Sequence, residues 1–277
     1  MRLFRQFLID PLPKYDGSEW QQRYGDHLIF HKDLSLNALP LIDEFDVVLI
    51  DGDHNWYTVY NELRLIEERC VQLSRPFPLV MLHDIGWPYG RRDMYYNPET
   101  IPEEYRKPYA QKGIHPESDE LLEKGGSHSS FNNALLENEP RSGVLAAVED
   151  FMDTAGQALE LLKLPGINGL GILFSSSLKE RNEALAGFLY NLDFSEAAVR
   201  QVELVERFRV NAQVKMQEEK KRRKRAEKRL QQLEDERQRQ RCEMDEMKSS
   251  GGWEIAKKIN IVNLKLRGLL RKMKARK

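Results

Sequence analysis

The sequence predicts an α/β fold, a doubly wound and mostly parallel sheet, followed by a long coiled-coil helix. Three observations lead there. Short apolar runs take turns with helical patterns through residues 1–192. Two of the runs, "VVLI" and "LVML", are apolar on both faces, as strands covered by helices on either side must be. The charge then reverses. Residues 201–277 hold 24 Lys and Arg against 12 Asp and Glu, which leaves 19 and 32 for residues 1–200. Two differently built parts are therefore joined near residue 195.

Strands are expected at Leu3–Ile9, His27–His31, Asp46–Ile50, Leu79–Leu82, Leu159–Leu164 and Gly171–Ser175. Helices are expected at Glu19–Tyr24, Leu36–Ile42, Trp56–Leu73, Val144–Asp153 and Lys179–Asn191, where apolar residues recur at helical spacing. "PGINGLG" joins the last two strands closely and predicts an antiparallel hairpin at one edge. Residues 86–142 break the alternation and are rich in Tyr, Trp, Pro, Gly and His. So long a stretch directly after a strand reads as a lid over an acceptor site. The alternative is a partly disordered surface insertion.

From Val202 onward the spacing becomes heptad, marking a coiled coil over 195–249. Its seam takes in Val202, Val205, Ala212, Met216, Ala226, Leu230, Leu233, Met244 and Met247, interrupted by Arg209, Arg223 and Arg237. The expected partner is a second copy of the chain. The run "KKRRKRAEKR" has no aromatic platform beside it and reads as a solvated helix face, so nucleic acid is not expected. The tail, 253–277, places Ile255, Ile259, Val262, Leu266, Leu269 and Met273 at helical spacing among nine Lys and Arg. Such a helix can lie on an anionic membrane surface, or pack on its own domain or on a partner. Cys70 and Cys242 follow no metal-ligand spacing and suit a reducing compartment. No window approaches the roughly 18 apolar residues of a membrane span. A cytoplasmic protein is expected, with the tail a means of peripheral contact at the inner membrane surface.

Function is argued from the strand ends. In an open parallel sheet, ligands bind beyond the carboxyl ends of the strands. Asp10, Asp33, the pair Asp51 and Asp53, and His83 with Asp84 all stand at such ends. A single aspartate there would cap the next helix. Several buried together would repel one another unless a cation compensates, and a divalent ion with oxygen ligands is the simplest candidate.

"FDVVLIDGDHNWYTVYNELRLIE", then "PFPLVMLHDIG", then "LLKLPGINGLGIL" resemble class I S-adenosylmethionine-dependent methyltransferases, in the branch of small-molecule and sugar O-methyltransferases. The likeness covers roughly residues 3–176 and implies a Rossmann-like sheet. It implies that Asp10 binds the cofactor ribose, that Asp33 and Leu34 line the adenine, and that Asp51 borders the same site. It also implies that Asp51, His83 and Asp84 hold Mg2+ or another divalent cation, with His83 standing where a carboxylate or amide is usual. Asp53 and His54 occupy the places of the catalytic base. The family's first strand and glycine-rich loop have no counterpart ahead of Leu3, so a truncated chain or lost cofactor binding is expected, with a sheet lacking its central strand. "SSGGWEIAKKI" and "LRGLLRK" resemble the ends of coiled-coil enzymes of bacterial surface-polysaccharide synthesis, which implies a glycan or other small hydroxylated acceptor.

Two further readings stay open. Asp51-Gly52-Asp53 has the form of the Asp-x-Asp of a metal-dependent glycosyltransferase. A non-catalytic, methyltransferase-like scaffold, with the coiled coil as its working part, is the other.

Overall fold

The computed structural model describes residues 5–249, 251–252 and 254–261. It is a mixed α/β structure whose chain divides into a unit Met1–Glu218 and a unit Glu219–Lys277.

The first unit opens with a β-α-β crossover, β1 (Gln6–Ile9), α1 (Gly17–Tyr24) and β2 (Leu28–His31), with β1 and β2 parallel. Asp16 begins α1 by accepting from the Ser18 amide at 2.9 Å, as an N-cap aspartate does. A single turn, α2 (Ser35–Ala38), runs into a 3-10 turn at Leu39–Leu41, so the expected helix Leu36–Ile42 tightens where Pro40 cannot donate a backbone N–H. Then come β3 (Val47–Ile50), α3 (Trp56–Gln72) and β4 (Leu79–His83), with β3 and β4 parallel. After the insertion, α4 (Val144–Thr154) leads to β10 (Leu159–Leu164) and β11 (Leu170–Ser175), the expected antiparallel hairpin. The four-stranded sheet has the order β10-β11-β4-β3, with β10 at its edge.

One doubly wound, mostly parallel sheet was expected; its six strands instead form a parallel pair, β1 with β2, and a mixed four-stranded sheet in which β3–β4 is parallel and β4–β11 and β11–β10 are antiparallel. Among the described residues, no ladder joins β1 and β2 to the four-stranded sheet. Both sheets nonetheless share a core. Phe7 and Ile9 pack on the cluster that contains Ile50, Val80, Leu82 and Leu173 from the larger sheet, Val59, Leu63 and Ile66 from α3, and Val148 and Phe151 from α4. The opposite face of β4 and β11, with Leu79, Ile172 and Phe174, is covered by Leu189. On β3 that same face carries Val47 and Leu49, which are 50% and 74% exposed.

The expected helix Lys179–Asn191 is two helices, α5 (Ser176–Arg181) and α6 (Glu183–Leu192). Asn182 between them is extended, and its side chain accepts from the Leu185 amide at 3.0 Å. An asparagine that caps a second helix gives the chain an alternative to continuing the first.

The stretch 86–142 is folded rather than loose. It contains a three-stranded sheet from β5 (Met94–Tyr95), β6 (Tyr109–Ala110) and β9 (Asn132–Ala134), and a hairpin of β7 (Gly113–His115) and β8 (Ser118–Leu122). Its root is a polar knot. Asp93 Oδ1 accepts from Trp56 N, at the start of α3, and from Gly143 N, just ahead of α4, both at 2.7 Å. Its Oδ2 accepts from the Tyr95 hydroxyl at 2.9 Å. Burial pushes the Asp93 carboxyl up to about 6 in spite of these bonds. Beside it, Arg92 is fully buried and donates to Ala134 O at 2.6 Å, to Asp119 O at 2.7 Å and to Glu137 at 3.3 Å.

The helix α7 spans Glu196–Ser249, and residues 251–252 and 254–261 are helical as well. Within the first unit, the turns up to Glu218 pack on the α/β part, and Val210 and Val214 are the buried residues. That stripe departs from the expected seam, of which Val205 and Met216 are about two-thirds exposed. An i, i+4 stripe facing a domain has replaced the heptad there. In the second unit, residues 219–249 are exposed throughout, Leu230, Leu233, Met244 and Met247 included. Of the tail stripe, Ile255 and Ile259 are exposed; Val262, Leu266, Leu269 and Met273 lie outside the described residues. Among the described residues no helix is long and apolar enough to cross a membrane.

Candidate functional site

The ends of β3 and β4 lie side by side because the two strands run parallel, with Ile50 opposite Leu82. The residues that follow each strand therefore emerge together. Asp51 leaves β3 exposed, and His54 and Asn55 turn into the protein. Asn55 starts α3 by accepting from the Thr58 amide at 2.9 Å. Asp84 follows β4 buried, with φ of 59°.

Across this junction, His54 Nε2 lies 2.6 Å from Asp84 Oδ2 and 3.8 Å from Asp51 Oδ1. One ligand atom from each of Asp51, His54 and Asp84 falls within 4.8 Å of the others, close enough to share an ion. His83 reaches the same carboxylates, its Nδ1 lying 3.3 Å from Asp51 and 3.2 Å from Asp84, while its Nε2 stands 3.1 Å from Ile167 O. Both imidazoles thus converge on the Asp51 and Asp84 pair. The sequence assigned His83 to the metal and His54 to the base, whereas the converging group includes His54.

Burial by itself would raise the Asp84 carboxyl. The His54 hydrogen bond, the charges of His54 and His83, and a hydrogen bond with Asn168 together hold it below the ordinary carboxylate range. Asp84 Oδ1 and His54 Nδ1 are buried with no hydrogen-bond partner. Orphaned buried polar atoms in a polar cluster mark a place where water or an ion completes the bonding. A set of nitrogen and carboxylate donors suits Mn2+, Fe2+, Co2+ or Zn2+ better than Mg2+, which prefers oxygen throughout.

Asp53 points elsewhere. Its Oδ2 accepts from the Thr58 hydroxyl at 2.9 Å, its Oδ1 is buried and unpartnered, and burial raises its carboxyl above the usual value. Its charge acts on a second buried acid. Glu62, one turn further along α3, is pushed up to about 7 by burial, against a hydrogen bond with Ser35 and helped by the charge of Asp53. Its only signal in the sequence was an acidic residue on the apolar face of a helix.

Asp10 and Asp33 are engaged locally. Asp10 accepts from Leu12 N at 2.9 Å and from the Tyr15 hydroxyl at 3.2 Å. Asp33 accepts from Leu34 N at 2.7 Å and from the Asn37 amide at 2.9 Å, tying down the start of α2, and Leu34 is exposed. Among the described residues, no hydrogen bond or ion pair joins either aspartate to the cluster around Asp84. Comparison with protein-family models, with curated proteins and with solved structures returned no match.

Proposed function

We propose that the chain is a divalent-metal-assisted group transferase that works at the carboxyl ends of β3 and β4. Within that class, the reading that best joins the site to the sequence resemblance is S-adenosylmethionine-dependent O-methylation of a sugar, glycan or other small hydroxylated acceptor on a Rossmann-like scaffold. The observation that carries it is the convergence of Asp51, His54 and Asp84 from two adjacent parallel strands.

In this reading Asp51, His54 and Asp84 hold the cation, and the orphaned Asp84 Oδ1 fits a site built for more partners than the protein supplies. A bound divalent cation lowers the pKa of a coordinated hydroxyl and fixes its direction. His83 braces both carboxylates through Nδ1. Asp53, the base that the resemblance implies, bonds Thr58 instead and is left without a role at the ion. The donor's place rests on the resemblance at Asp10, Asp33 and Leu34. The divergence of Asp53 from Asp51 counts against the Asp-x-Asp reading, in which both would face one ion. Pairing of Leu230, Leu233, Met244 and Met247 with a second copy of the chain completes the proposal.

Titration of Mn2+ followed by electron paramagnetic resonance tests the metal. Wild type binds one ion, and Asp84→Asn or His54→Ala weakens it at least tenfold, the order expected for loss of a group supporting a metal. A wild type that binds no divalent ion overturns the proposal. Thermal shift with S-adenosylmethionine against a nucleotide-sugar then separates the transferases. Stabilisation by the nucleotide-sugar alone favours glycosyl transfer, and a response to neither, with strong self-association, favours the scaffold.

A further inference from the structure

Beyond Glu218, α7 runs uninterrupted to Ser249, and every residue of that stretch is exposed. Its apolar side chains nevertheless fall on a single stripe. With Leu230 at heptad position a and Leu233 at d, Met244 and Met247 take the same two positions, and Ala226 precedes them at d. Positions b, c and f are polar apart from Cys242. Most helices in water owe their stability to packing along one face, and here that packing has to come from a second helix.

The flanks of the stripe distinguish the ways two copies could meet. In two parallel helices in register, residue g of one lies against residue e of the next heptad of the other. Arg222 then meets Glu227, and Arg229 meets Glu234. Further along the signs exchange sides, so that Glu236 meets Arg241 and Glu243 meets Lys248. Every one of these contacts joins opposite charges. The exchange of signs also pins the register, because a slip of one heptad would set Arg229 against Arg241 and Glu236 against Glu234. In antiparallel pairs e faces e and g faces g. Setting Leu230 against Leu233 in that way brings Glu227 onto Glu234 and Lys220 onto Arg241. Setting Leu230 against Met247 brings Glu236 onto Glu243. The complementarity starts where the contacts with the α/β part end: one heptad earlier, Lys215 would meet Lys220. Arg223 and Arg237 at position a cost stability. Arg223 bonds Glu227 of its own helix at 2.9 Å, which carries its charge to the flank, and the Arg237 stem can lie along the seam with its head in water.

We propose that residues 219–249 form a parallel, in-register coiled coil with a second copy of the chain, oriented by the ion pairs between positions g and e. It rests on the pairing of the helix with a second copy, to which it adds orientation and register, and it is independent of the metal and the donor. Both copies of residues 254–261 then follow from the same end of the paired helices.

Disulfide crosslinking of the full chain, read together with sedimentation, tests the arrangement. Cys242→Ser removes the exposed thiol and leaves Cys70, which is buried. Met247→Cys in that background should oxidise to a covalent dimer, because two cysteines bond only with their Cα atoms within about 7 Å. In either antiparallel alignment the two copies of this position stand more than ~20 Å apart, at about 1.5 Å per residue. Glu236→Lys should weaken assembly about tenfold at low salt, and adding Arg241→Glu should restore it. That exchange of charges keeps the test decisive should the cysteine variant fold poorly. A dimer in sedimentation that does not crosslink, or that the exchange fails to rescue, overturns the parallel register and leaves the pairing standing. A chain that sediments as a monomer overturns both. Neither result bears on the Mn2+ and S-adenosylmethionine titrations.

Discussion

The insertion 86–142 and the exposed stretch of α7 after Glu218 both look peripheral in composition, one rich in Gly and Pro and the other in charge. Their environments are opposite. The insertion holds Arg92 and Asp93 at 0% and 1% exposure, every strong bond of Asp93 reaching a defined partner. The helix residues 219–249 are all exposed, although leucine and methionine recur among them. A polar side chain becomes core when its hydrogen bonds close within the domain, and an apolar one stays outside until a second surface arrives.

Removing the knot should give the largest effect. Asp93→Ala leaves two backbone amides and the Tyr95 hydroxyl without their acceptor, and a loss of about 3 kcal/mol or more is expected in urea unfolding. A loss below about 1 kcal/mol would show that the insertion is held by something else.

Glu62 should give an effect of similar size that depends on pH. Its folded value near 7 exceeds its unfolded value of 4.5, so the native state binds the extra proton between them. Its favourable contribution is whole below pH 4.5 and is lost as pH rises through 7, on the order of 3 kcal/mol in all. Glu62→Gln should remove that decline and be the more stable protein at pH 8, as measured by thermal melts across pH. Parallel pH profiles for the two proteins would contradict the assignment.

Smaller effects should separate the two portions of α7. Val214 is 1% exposed, and Val214→Ala is expected to cost about 1 to 2 kcal/mol. Leu230 is 58% exposed, and Leu230→Ala should change chemical stability of the α/β unit by less than about 0.5 kcal/mol. In sedimentation, by contrast, Leu230→Asp should dissociate a helix-mediated oligomer that Val214→Ala leaves assembled. Equal assembly in both variants would remove the heptad seam from the interface.

The strands were legible because "VVLI" and "LVML" are unbroken apolar runs, although burial on both faces holds for β4 and not for β3, whose Val47 and Leu49 are exposed; the hairpin was legible because "PGINGLG" leaves no room for a crossover. The carboxylates at the ends of β3 and β4 followed from the parallel pairing, so Asp51 and Asp84 could be placed in one cluster. What the sequence concealed depends on distant partners. Asp93 reaches Trp56 and Gly143, 37 and 50 residues away, and no local pattern announces such a bond. The break at Asn182 lies in the polar run "KERNE", 179–183, where no apolar spacing marks either helix. The stripe of Val210 and Val214 was masked by heptad positions on an adjoining face. His54 and His83 could be assigned to the strand ends, but that both imidazoles turn toward Asp51 and Asp84 is a matter of side-chain direction, and spacing does not encode it.

The backbone at position 84 lies in the left-handed region, where aspartate and asparagine are far better tolerated than alanine or glutamate. Chain geometry and chemistry therefore select at this position on independent grounds. Asparagine keeps the bend and gives up the negative charge, glycine keeps the bend and gives up every ligand atom, and glutamate keeps the charge at the expense of the bend. Aspartate satisfies both the bend and the donor set proposed for the cation.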